Sequence, residues 1–169
     1  HNVAIGYQAL TSDTLGSRAI AIGHNALANQ NFTTATDSYN VGIGYSAGDA
    51  VTTGKQNTIV GGLAADAVTT GTNNVAVGYL ALTTETAGDN NVAIGRSALG
   101  TQNVTTGGNV YNVAVGHSAG GAVTTGVQNT LIGAQVGDAL TDADFNTAVG
   151  FSALTADTLG SRSVAVGTA

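Results

Sequence analysis

Three histidines, ten side-chain carboxylates and four strong cations (Arg18, Lys55, Arg96 and Arg162) supply, beside five tyrosine phenols and the termini, all the acid–base and electrostatic chemistry this 169-residue chain has. Their spacing builds no recognisable centre. His24 and His117 are far apart, His1 is terminal, and none forms a close pair at metal-ligand spacing. Ser118 adjoins His117, but neighbours on a strand point apart, so no nucleophile–base pair follows. VTTGK (51–55) lacks the full Gly-x-x-x-x-Gly-Lys-Ser/Thr phosphate loop. Asp49 and Asp66 occupy equivalent positions of adjacent repeats, where two carboxylates would sit close and repel. A bound cation or two solvated carboxylates both fit that pair, the second better. The expectation is no enzyme, no catalytic residue, no metal and no cofactor.

One set of residues does gather bulky and polar groups in an otherwise small, aliphatic chain. It comprises Tyr7, His24, Tyr45, Tyr79, Arg96, His117 and Phe151, each one residue after a recurrent glycine. The variability and bulk of this column predict that it points outward. Stacked rings there could offer a shallow platform for sugars, or could shield a seam between coils or subunits. A second set lies in two longer repeats, HNALANQNFTTATDSYN (24–40) and RSALGTQNVTTGGNVYN (96–112), whose extra residues should emerge as surface loops. Phe32 and Tyr39 in the first, and Tyr111 in the second (which also holds Val104), are the candidate contacts. Together these make up the predicted surface-binding residues.

The element that positions them is a repeat. A motif of the form Asn-Val-Ala-Ile-Gly places its glycine at 6, 23, 44, 61, 78, 95, 116, 133, 150 and 167, with spacings of 17, 21, 17, 17, 17, 21, 17, 17 and 17. A short fixed period along the whole length signals a solenoid of stacked coils. Four rungs make 72 residues, and the pattern then restarts: GYSAGDAVTTGKQNTIVG (44–61) returns as GHSAGGAVTTGVQNTLIG (116–133). Duplication of a four-rung block accounts for this. Because the chain opens at His1 inside one motif and stops just past another, residues 1–169 are read as a single β-solenoid segment of a longer protein.

Composition agrees with a narrow coil. Pro, Cys, Met and Trp are absent, Gly numbers 25, and apolar residues reach 43% with only 8% charged. A net charge of −6 is no footprint for phosphate backbones, so nucleic acid is not an expected partner. No apolar run approaches a membrane span. Thiol chemistry and disulfides are excluded.

Within a rung, position −4 from the glycine is Asn in eight of ten cases, with Ala19 and Ser163 the exceptions. This column is expected to form a ladder along the stack. Positions −3 and −1 are mostly Val, Ile or Thr, and −2 is usually Ala, which reads as a short strand with two dry faces. The expectation is that the −3 and −1 face lines the coil interior while the Ala face meets another copy of the chain or stands exposed. A second short strand is expected after the glycine, around Ala9, Ala26, Ala47 and their equivalents. Thr-Thr-Gly and Thr-x-Gly sequences then supply the turns. At about 4.8 Å per parallel strand, the nine steps from Gly6 to Gly167 give a rod roughly 43 Å long.

NVAIGYQAL (2–10), NVAVGYLAL (74–82) and NTAVGFSAL (146–154) resemble the left-handed parallel β-roll heads of trimeric autotransporter adhesins, although the rungs here are longer by about three residues. NTLIGAQVGDALT, with Thr-Thr-Gly between rungs, looks still more like the repeat regions of phage tail-fibre proteins. The resemblance covers the whole chain. It implies an extracellular homotrimer on a virion tail, with a bacterial surface adhesin head as the alternative. It also implies host attachment through a cell-surface glycan or outer-membrane receptor, without insertion of this segment into a membrane. An ice-binding solenoid is a third reading, weakened because Thr52-Thr53 and Thr69-Thr70 are adjacent rather than alternating.

Overall fold

A computed structural model describes residues 1–168 as a parallel β-solenoid of about ten turns, with no helix among them. One strand per rung, each three residues long, runs from Val3–Ile5 to Val164–Val166. These ten strands pair in parallel, in chain order, as a single sheet. The register repeats without slip: Ile59 lies opposite Ala76, and Ala76 opposite Ala93. The two 21-residue rungs keep this register because their extra residues leave the coil and pair again beside it. Thr36–Asp37 pairs with Gly16–Ser17, and Gly108–Asn109 with Gly88–Asp89.

The motif glycine is required by close approach. At Gly78, with φ +133°, an added Cβ would lie 2.7 Å from the carbonyl carbon of Gly95 on the next rung. The backbones pass too close there for any side chain, and the φ favours glycine as well.

Two expectations about the rung are overturned. First, no second strand follows the glycine. Positions +2 and +4 both take left-handed φ, as at Asn25 (57°) and Leu27 (49°), so the chain curls through successive turns instead of extending. The Ala at +3 is nevertheless buried, as at Ala26, Ala47 and Ala98. Second, the two strand faces are exchanged. The −2 column faces the coil interior, with Ala21, Ile59, Ala76, Ala93, Ala114, Leu131 and Ala148 all fully buried. The −3 and −1 columns face outward, and Ile20, Ile94 and Ile132 remain 37–41% exposed.

The reason lies across the coil. Leu27, Leu82 and Leu99 at +4 fill the interior opposite the strand, leaving room for only a methyl at −2. At Gly42 even that is absent, since a Cβ there would lie 2.7 Å from Leu27 Cγ. At two rungs where +4 is instead glycine, −2 of the next rung is large: a Cβ on Gly48 would meet Ile59 at 2.7 Å, and one on Gly120 would meet Leu131 at 2.8 Å. The two columns share one volume, and their sizes compensate.

The Asn column is buried and forms a ladder. Asn57 donates its backbone N–H to Asn40 Oδ1 (2.9 Å) and its amide to the Gly71 carbonyl (2.9 Å), and Asn74 repeats both bonds one rung on. Each side chain therefore ties its own coil across the middle and the next coil along the rod. Amide-to-amide bonds between successive Asn residues occur only near the ladder's end, from Asn129 to Asn112 and from Asn146 to Asn129.

The ladder's two exceptions fall at one place in the repeat. Ala19, Asn91 and Ser163 share one place in the 72-residue block, and the first two lead into the long rungs. There the inserted loop displaces the carbonyl that the Asn amide normally reaches. Asn91 accordingly keeps a buried Nδ2 without a partner.

Candidate functional site

Extended backbone between −4 and the glycine alternates sides, so the outward face carries −3 and −1 at its centre. Ten rungs in register turn these into two continuous columns of Val, Ile and Thr along the rod. Apolar side chains at regular spacing form a stripe over the whole length of the sheet, and between the terminal rungs its Val and Ile are more than half shielded from solvent. Patches of that extent on soluble proteins mark places where another surface docks.

The stripe has two bulky borders. On one side lies the column at +1, where the structure places seven of the ten predicted surface residues, all exposed. The rings of Tyr7 and His24 lie 5.1 Å apart, and those of His24 and Tyr45 5.3 Å apart and stacked. Further along, Arg96 Nη1 approaches His117 Nε2 at 3.1 Å, which requires that His nitrogen to accept.

On the other border lies the column at −5, which the sequence reading did not single out. It contains Arg18, Tyr39, Tyr111, Phe145 and Arg162, each in the left-handed region with φ of 52–63°. Tyr39 and Tyr111 therefore do not sit on loop tips. They stand at the corner leading into a strand, exposed beside the stripe. The Arg18 guanidinium lies over the Tyr39 ring at 5.4 Å, hydrogen-bonds its hydroxyl, and pairs with Asp37 at 3.3 Å. Arg162 covers Phe145 in the same way at 5.2 Å. Counting five residues back from each motif glycine would have found this column.

Phe32 is a correction. Its side chain is only 5% exposed, so it anchors the long rung against the coil and cannot contact a partner. Its neighbours at 33–35 and residues 105–106 are the parts of the long rungs that project into solvent.

Burial, and then the Asp66 carboxylate, push Asp49 above its ordinary value, with His24 opposing. Asn29 donates to Asp49, and the Thr83 hydroxyl to Asp66. Among the described residues no group of three or more His, Cys, Asp or Glu is placed to hold a metal ion. No helix among them is long and apolar enough to cross a membrane.

A buried polar network escaped the sequence reading. Position +7 is Val or Leu on two rungs of each block, but acid and then Gln on the other two. Glu85 is fully buried and accepts from the backbone N–H groups of Thr86, Ala87, Gly88 and Val104 and from Gln102 Nε2. The carbonyl of Gln102 in turn accepts from Asn112. Gln30, Asp13 and Asn40 repeat this chain of bonds. The network seats each long rung on the rung before it. No known protein family, curated protein or solved structure matches this chain.

Proposed function

We propose that this chain is a structural segment of a homotrimeric fibre of the phage tail-fibre kind, a stiff extracellular spacer that takes part in host attachment by holding other parts of the fibre at a distance. The observation that carries this reading is the continuous outward stripe of Val, Ile and Thr at −3 and −1. A solenoid that has already filled its interior with Ala and Leu has no use for a second apolar face within one chain. Covering that face with copies of itself would remove the stripe from water, at roughly 25 cal/mol for each Å² of apolar surface buried. Three flat sheets closing around one axis make a triangular rod, in which each coil is braced by two others. The columns, repeated over every rung, give that rod its stiffness.

The test is the solution mass of the full chain. Sedimentation equilibrium is expected to give three times the 16.5 kDa chain mass. A species of 16.5 kDa at micromolar concentration would remove the fibre reading.

A further inference from the structure

Resting on the homotrimer reading, we propose how the copies meet: the chains run parallel and in rung register, with the −5 column of one protomer packed against the +1 column of the next. In a cyclic assembly the contact is heterologous, so one border of the stripe must meet the other border of a neighbouring copy. The two borders carry the evidence. At four rungs both are aromatic or imidazole: His1 with Tyr7, Tyr39 with Tyr45, Tyr111 with His117, and Phe145 with Phe151. At two rungs, where −5 is Gln56 or Gln128, +1 shrinks to Gly62 or Ala134.

Within one chain these partners cannot touch. Six positions of near-extended backbone, on the order of 15–20 Å, separate them, and the outward stripe lies between. Gly62 is the clearest case. Its φ is not left-handed, and a Cβ there would meet nothing nearer than Tyr79 Cδ2 at 3.6 Å. Its own chain therefore does not demand glycine. A neighbour's Gln56, reaching across the seam at the same height, accounts for it.

The coil interior shows the same signature at a known contact, where Gly48 answers Ile59 and Gly120 answers Leu131. Block duplication explains why rungs 72 residues apart resemble each other. It does not explain why, at one rung of an equivalent set, both borders become Phe: Asn73 and Tyr79 correspond to Phe145 and Phe151. The arrangement also places Tyr45 and its column inside the seam, out of reach of a glycan.

The chain has no Cys, so introduced thiols are unambiguous. In the full chain carrying Gln56→Cys with Gly62→Cys, a short bismaleimide is expected to join all three chains into one covalent species on a denaturing gel. Tyr39→Cys with Tyr45→Cys should do the same at a different height. Each single variant should stay uncrosslinked, as should the off-register pair Gln56→Cys with Ala134→Cys. Crosslinking of a single variant would overturn the parallel arrangement. An uncrosslinked double variant of trimer mass would overturn the seam while leaving the trimer standing. A double variant and parent both at 16.5 kDa would overturn both.

Discussion

At the scale of the residue, the Asn ladder separates positions that look identical in sequence. The Asn57 side chain accepts from the Asn74 backbone N–H on one side and donates to the Gly71 carbonyl on the other, both partners buried. Asn57→Ala orphans both, at about 1–3 kcal/mol each. Asn91 has only a long 3.3 Å acceptor bond, and its amide nitrogen has no partner. Asn91→Ala should therefore cost well under half as much, as read from denaturant midpoints of the two variants. Ala19 in the equivalent place already shows that the fold accepts this. A second residue-scale prediction concerns Asp49. Its raised value in the folded chain means that folding holds the proton more tightly than the unfolded state does. That stabilisation is complete below the unfolded value and is lost as pH rises through the folded one. Asp49→Asn should raise the Tm at neutral pH, and the gain should vanish as pH falls below the usual carboxylate range. A gain that persists at the lowest pH would mean that something other than charge is responsible.

At the scale of the element, the rung period, the three-residue strand and the Asn ladder were legible in the sequence. Each is a column that repeats, and a repeat of 17 survives any error about what a column faces. The facing itself was not legible. Alternation of Val, Ala and Ile says that two faces differ, but not which one looks inward. That is decided by Leu27, Leu82 and Leu99, which reach across the coil from a left-handed turn and leave the strand room only for a methyl. Nothing in the strand motif announces this. The paired exchange of Ala and Leu for Ile59 and Gly48 does, once both columns are compared. It also gives a test. Ile59→Ala should cost about 2–4 kcal/mol by leaving a cavity. Adding Gly48→Leu should restore most of that loss, because position 48 already has the left-handed φ that Leu27 adopts. Chemical denaturation of the two single variants and the double variant would show the coupling. Additive effects would mean that the columns do not share a volume. The buried Glu85–Gln102 pair was hidden for a different reason. Acid and amide at +7 alternate with Val at the same position, so the column looks irregular until the 72-residue block is laid over it.

At the scale of the whole molecule, one property orders the rest: this chain has two apolar layers and has room inside for only one. Ala, Leu and Asn close each coil, while Val and Ile form an outer face with ringed borders. In the proposed trimer other copies of the chain cover that outer face. Charge placed there should break the assembly, because a single misplaced charge has no partner in the covered face. The most direct measurement is light scattering of the full parent chain beside a variant carrying Val77→Asp and Ile94→Asp. The parent should weigh three times 16.5 kDa and the variant one time. A parent that is already monomeric, or a variant that remains trimeric, would contradict the claim that this face joins the chains.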